Sequence, residues 1–157
     1  MSKVKKIFSA CLGLCLAINM FCSLAFAIDD PIQEVQTICY EDGSYTVITI
    51  TYDVQSVVSA ISSVKKTGGE KEYTYYSGSR QALWTFRVHG TFEYDGSSAS
   101  ATSADYSQEV YDSAWSFDHA NAYCSGASAI AEGTFKLGVI PISTTVTLTC
   151  SKDGKLS

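Results

Sequence analysis

Ala82-Leu83-Trp84-Thr85-Phe86-Arg87-Val88-His89-Gly90-Thr91-Phe92-Glu93-Tyr94-Asp95 decides the fold class of this chain. Trp84, Phe86, Val88, Phe92 and Tyr94 fall on one side of a two-residue period, and Thr85, Arg87, His89, Thr91 and Glu93 fall on the other. Strict alternation over this length is the signature of a half-buried antiparallel strand. Gly90 sits on the apolar side, where it leaves room for a neighbouring aromatic ring or marks a bend. Asp95-Gly96 then closes the strand with turn chemistry that tolerates positive φ.

The same grammar continues in both directions. Thr37 to Tyr40 and Tyr45 to Asp53 flank Asp42-Gly43 and read as a hairpin, with Val47, Ile48, Ile50 and Tyr52 as its apolar content. Gly78-Ser79 marks a turn before the long strand, and Ser97 to Tyr106 and Trp115 to Tyr123 are further strands. Ser128 to Leu137 and Ile142 to Cys150 flank a turn-like Gly138-Val139-Ile140-Pro141. In the last of these strands Ile142, Val146, Leu148 and Cys150 share one face, and Ser143, Thr145, Thr147 and Thr149 form a threonine-rich solvated face. Val54, Val57, Val58, Ile61 and Val64 instead recur at helical spacing after Asp53, a possible N-cap, and Thr67-Gly68-Gly69 would end such a helix. Its valines and serines are mediocre helix formers. Residues 54–66 are therefore a short helix or a loosely ordered linker.

Upstream, Lys3, Lys5 and Lys6 precede an apolar run from Ile7 to Phe26 that closes on Ala25-Phe26-Ala27. This is the pattern of a cleaved secretory signal peptide over residues 1–27, interrupted by Asn19 and ending on small side chains. An uncleaved anchor of about 20 apolar residues is the alternative. The positive-inside bias leaves the body outside the cytoplasm in either case. Cys11, Cys15 and Cys22 lack the small-residue context of lipid attachment and leave with the leader. The expected product is secreted and extracellular, with no membrane contact after cleavage. Residues 28–157 suit one domain, with an N-terminal hairpin and linker or short helix over 28–69 and the main β domain over 70–157.

Charge narrows the partners. Losing three of the 11 basic residues while all 16 acidic residues remain moves the formal charge from −5 to about −8. Phosphate backbones demand a basic face, so nucleic acid is not an expected partner. Anionic lipid surfaces are disfavoured for the same reason.

Three cysteines follow the leader: Cys39, Cys124 and Cys150. In an oxidising compartment an odd number means one intramolecular disulfide with a free thiol or one that links a dimer, or no disulfide at all. Cys124 with Cys150 is the favoured intramolecular pair, although a strand starting near Ser128 between them would hold them about 10 Å apart, beyond disulfide reach. Cys39 with Cys150 is the runner-up. No spacing matches a zinc site.

Catalytic constellations are sparse, and no catalytic residue is assigned. His89 and His119 belong to no helical metal motif. Asp118 and His119, adjacent on a strand, are expected on opposite faces and so unable to form a relay. Glu93, Asp95, Asp105, Glu109, Asp112 and Asp118 offer carboxylate pairs of a kind glycosidases use, but surface solvation is their ordinary role. Asp95, Asp105 and Asp112 lack the spacing of a calcium loop. No phosphate cradle or dinucleotide fingerprint is present, so no metal and no cofactor is expected. Ten tyrosines are the feature with functional leverage. Tyr73 and Tyr75 share one face of a strand and Tyr76 takes the other, and a row of such rings on one exposed face would stack on a sugar or anchor a protein.

Lys66-Thr67-Gly68, Tyr73-Thr74-Tyr75-Tyr76, Leu83-Trp84-Thr85, Gly90-Thr91-Phe92 and Tyr94-Asp95-Gly96-Ser97-Ser98 are followed by Tyr111-Asp112-Ser113-Ala114-Trp115, Ser125-Gly126 and Gly133-Thr134-Phe135. With the ending Leu148-Thr149-Cys150-Ser151-Lys152-Asp153-Gly154-Lys155-Leu156-Ser157, this pattern resembles a group of short secreted β-rich proteins from gut-dwelling Gram-positive bacteria. The resemblance runs from Lys65 onward; it implies export and a β-rich domain and carries over no catalytic residue. In that group a cysteine often stands where this chain has Ala101, implying a bridge to the terminal cysteine; here the partner of Cys150 stays open between Cys124 and Cys39.

The expected architecture is an all-β antiparallel sandwich or barrel-like sheet of about 6–8 strands. The expected function is a secreted or cell-surface binding module for a glycan or protein ligand, without enzymatic activity, with Tyr73, Tyr75 and Tyr76 as its binding residues. The alternatives are a small extracellular hydrolase using acidic residues, and a self-associating structural protein linked through cysteine.

Overall fold

A computed structural model describes residues 33–53 and 64–157. Its eight strands are β1 (Gln33–Cys39), β2 (Tyr45–Tyr52), β3 (Lys65–Tyr76), β4 (Ala82–Tyr94), β5 (Ala99–Val110), β6 (Trp115–Ser125), β7 (Ser128–Leu137) and β8 (Ile140–Thr149). They follow one another as an antiparallel meander folded into two sheets, β1-β2-β3-β4-β5 and β6-β7-β8. The chain crosses between sheets after β5, where the Tyr111 and Asp112 N–H groups donate to the Leu83 carbonyl and Trp115 N–H donates to Asp112. The fold is thus all-β and sandwich-like, and it is not a closed barrel.

The core lies between the sheets and is built from the faces that the alternation marks. Trp84, Phe86, Val88 and Phe92 of β4 are buried against Ala129, Ala131 and Phe135 of β7 and Val146 and Leu148 of β8. Trp84 stacks on Phe135 with ring centroids 4.3 Å apart, and Phe86 meets Phe135 edge to face. Gly90 leaves room for a neighbouring ring: a Cβ there would lie 2.7 Å from that of Ala129 and 2.8 Å from the Phe92 ring; the β4–β5 register shifts just beyond it, between Thr91 and Phe92. Gly43 and Gly96 close their turns at φ 83 and φ 86, as the Asp-Gly pairs require.

Three expectations change. Lys65, Lys66 and Thr67-Gly68-Gly69 are not the end of a helix; they begin β3, pairing with β4 from Lys65 opposite Tyr94. Gly69 is there for close approach, since a Cβ would meet the Thr51 carbonyl at 2.5 Å and Leu156 Cδ1 at 2.6 Å. The rest of the helical reading, 54–63, and the leader, 1–27, lie outside the described residues. The β7–β8 turn is shorter than Gly138 to Pro141: Leu137 already pairs with Ile140 and Lys136 with Pro141, so Pro141 belongs to β8. That is possible because β8 is an edge strand, where a missing N–H costs no ladder bond. Finally, a register shift between Phe117 and His119 brings Asp118 and His119 together, with Nδ1 3.0 Å from Oδ2, instead of on opposite faces.

Candidate functional site

A cleft lies between the inner-face aromatic residues of β3 and β4, the β1–β2 turn and the start of β8. Its volume is about 380 Å³. Tyr73, Tyr75 and Trp84 form the aromatic side, Tyr40 closes one end, and Ile142, Ser143 and Thr144 of β8 form the opposite wall. Register explains the grouping: Tyr75 lies opposite Trp84 on β4 and Thr46 on β2, and Tyr73 lies opposite Phe86 and Ile48. Side chains directly opposite in a ladder share a face, so the ladder gathers these residues from three strands.

Within the cleft the rings have different freedom. Tyr75 is locked: its ring meets Tyr40 edge to face at 6.1 Å and lies 5.3 Å from Trp84, and its hydroxyl donates to Ser44 Oγ. Ser44 Oγ passes the chain on to the Asp42 carboxylate, whose pKa is held below its ordinary value by the Ser44 hydroxyl and then by the Ser44 N–H. Tyr40 shares a hydrogen bond with Thr46 Oγ1 and stays exposed. Tyr73 is half-buried, and burial followed by the neighbouring Tyr40 pushes its hydroxyl pKa up. Among the described residues the buried Trp84 indole N–H beside the cleft has no hydrogen-bond partner.

Of the three tyrosines singled out in the sequence, the structure brings Tyr73 and Tyr75 into this cleft and places Tyr76 on the outer face, stacked on Tyr45 at 4.8 Å. The additional members are Tyr40 and Trp84. Trp84 is legible as core but not as a cleft wall, and Tyr40 joins only through the β1–β2 hairpin.

The outer face of β3 and β4 carries charge instead. Arg87 lies among Glu70, Glu72 and Glu109, and His89 Nε2 sits 3.0 Å from Asp53 Oδ2. Burial raises the pKa of Glu70, against the pull of Arg87. The other carboxylates noted in the sequence are dispersed: Glu93 pairs with Lys66, Asp95 accepts the Ser97 and Ser98 N–H groups, Asp112 accepts Ala114 N–H, and Asp118 binds Lys136. Asp95 and Asp112 sit at opposite ends of β5, so Asp95, Asp105 and Asp112 do not converge. Among the described residues no three His, Cys, Asp or Glu side chains gather as a metal site would require.

No disulfide joins Cys39, Cys124 and Cys150 in this structure. Cys124 pairs with Ala129 on β7, which pairs in turn with Leu148 on β8, so β7 lies between Cys124 and Cys150. Cys150 is buried and desolvation raises its pKa, whereas Cys39 and Cys124 are exposed. No protein-family model, curated protein or solved structure matches this chain.

Proposed function

We propose that this chain is an extracellular binding module without enzymatic activity, and that its ligand occupies the cleft between Tyr40, Tyr73 and β8. The observation that carries this reading is the cleft itself: an aromatic, partly open concavity with a hydroxyl-bearing rim. Such a mix of apolar wall and a few convergent polar groups is how ligand sites combine affinity with orientation. The basic-headed leader and the acidic composition support an exported, soluble domain that binds neither nucleic acid nor anionic lipid.

Tyr40 and Tyr73 are the rings to replace, because Trp84 is a buried core residue and Tyr75 is held by Tyr40, Trp84 and Ser44. The test is retention of the purified protein on insoluble cell wall, mucin and common polysaccharides, together with binding of extended peptides in solution. Saturable binding that Tyr40→Ala and Tyr73→Ala each weaken, with circular dichroism unchanged, is the expected result. Binding to none of these ligands, or binding indifferent to both substitutions, would overturn the reading.

A further inference from the structure

We propose that the ligand of this cleft is a glycan carrying free amino groups, whose ammonium pairs with Asp42 while its sugar rings cover Tyr40 and Tyr73; the proposal rests on the binding-module reading above.

Charge is the first selector. Among the described residues that line the cleft, Asp42 is the charged one, and none is lysine or arginine. The Ser44 hydroxyl and then the Ser44 N–H hold its carboxyl below the ordinary pKa, so it stays ionised. Both bonds end on Oδ1, so an incoming cation can take Oδ2 without breaking them. The Tyr75 hydroxyl donates to Ser44 Oγ, which puts that ring two hydrogen bonds from the carboxylate. Tyr40 closes the same end, its ring centroid 6.1 Å from that of Tyr75. A carboxylate beside tyrosine rings attracts an ammonium by its own charge and by the negative faces of the rings. Lys71 lies two residues from Tyr73 along β3, on the side away from Tyr75 and Asp42, and is not part of the lining. The formal charge of −5 on the whole chain adds a long-range attraction of the same sign.

Hydrogen bonding is the second selector, and it separates an amino sugar from a lysine side chain. A lysine ammonium brings donors only. The rim is built from the hydroxyls of Ser44, Thr46, Ser143 and Thr144, and a hydroxyl both donates and accepts. Trp84 lines the cleft too; its side chain is 5% exposed, and its unpartnered indole N–H calls for an acceptor. Sugar hydroxyls fill both roles. The C–H face of a sugar ring also covers tyrosine as another apolar surface would, and Tyr40 and Tyr73 are the rings not held by the core.

The test titrates the purified protein with a glucosamine tetramer, its N-acetylated counterpart and tetralysine. Mildly acidic buffer keeps the amines charged and Asp42 ionised. Calorimetry reads affinity, and the Trp84 indole N–H signal of isotope-labelled protein reports the cleft. The glucosamine tetramer is expected to shift that signal and to bind about fivefold more tightly than the N-acetylated tetramer, a modest factor because Asp42 is exposed. Tetralysine is expected to bind more weakly than the glucosamine tetramer. Asp42→Asn is expected to bring the glucosamine tetramer down to the affinity of the N-acetylated one, whose own affinity is unchanged. Asparagine keeps an Oδ1 acceptor for Ser44 and suits the turn before Gly43, so circular dichroism should not change. Equal affinity for the two sugar tetramers, a preference that survives Asp42→Asn, or a Trp84 signal that does not move would each overturn the proposal. So would a glucosamine tetramer that does not bind, or tetralysine binding as tightly, which would make a lysine-bearing protein the ligand. If the preference fails while retention on neutral polysaccharides still depends on Tyr40 and Tyr73, the binding-module reading stands; if no ligand depends on those rings, both fall.

Discussion

Tyr52 and Leu156 lie 104 positions apart and hold each other by both backbone groups: the Tyr52 hydroxyl accepts the Leu156 N–H at 3.0 Å and donates to its carbonyl at 3.1 Å. This one hydroxyl ties the C-terminal turn to the five-stranded sheet and seats the fully buried Leu156 side chain over Gly69. Tyr52→Phe leaves a half-buried donor and acceptor unpaired and should cost about 1–3 kcal/mol. Leu156→Ala should cost about 2–5 kcal/mol through the cavity it leaves. Urea unfolding of the two variants and their double mutant checks both values, and the pair should be non-additive because the contacts are shared.

At two points glycine leaves the room that a facing side chain of the other sheet fills. Beyond Gly90, a Cβ at Gly133 would meet Phe86 Cζ at 2.7 Å, in the middle of the aromatic core. Gly133→Ala and Gly90→Ala should each destabilise by about 1–3 kcal/mol, since neither neighbour has a free end to move. Denaturant midpoints measure this, and an unchanged midpoint for either variant would show that the sheets are less tightly apposed.

Two carboxylates should give stability profiles of opposite slope. Burial raises the pKa of Glu70, so the folded state favours its protonated form. Stability from this group is complete below the unfolded-state pKa and is lost as pH rises through the higher folded-state value. Glu70→Gln should remove that loss, a change under about 1 kcal/mol once solvent screening of the Arg87 pair is allowed for. Asp118 runs the other way: hydrogen bonds from Lys136 and then His119 lower its pKa, so its contribution is present above the unfolded-state value and fades as pH falls through the lower folded one. Carboxyl NMR titration should place the Asp118 midpoint below its ordinary value, with Lys136→Met moving it up.

Thiol reactivity should divide the cysteines by burial. Cys124 is exposed, and Cys150 is buried with a raised pKa, so brief alkylation of the native protein should modify Cys124 and spare Cys150. Site-resolved mass spectrometry reads the outcome. Recovery of a Cys124–Cys150 disulfide would mean that β7 does not separate the two as the sheet register requires.

Much of this architecture was legible because a two-residue period is a property of the local chain. The alternation from Trp84 to Tyr94 assigns β4's core face, and that from Ile142 to Cys150 assigns β8's, because each pleat turns alternate side chains to opposite sides whatever lies across from them; it misses that Thr85, on β4's other face, is buried as well and hydrogen-bonded to Thr74. Asp42-Gly43 and Asp95-Gly96 announced their turns because positive φ is a local demand. The alternation also put Tyr73 and Tyr75 on one face and Tyr76 on the other. Tertiary structure alone decided the rest. Where the chain crosses between sheets after Val110 depends on which faces can bury each other. Thr67-Gly68-Gly69 became strand because the flanking β2 and β4 ladders and the approach of Leu156 outweigh a weak local preference for ending a helix. Asp118 and His119 meet because one shift in register reverses the parity that sequence spacing assumes. The cleft follows the same logic: Tyr40, Tyr73 and Ile142 are far apart in the chain and share a site only because strand pairing within one sheet and packing of the two sheets bring β3, the β1–β2 turn and β8 together.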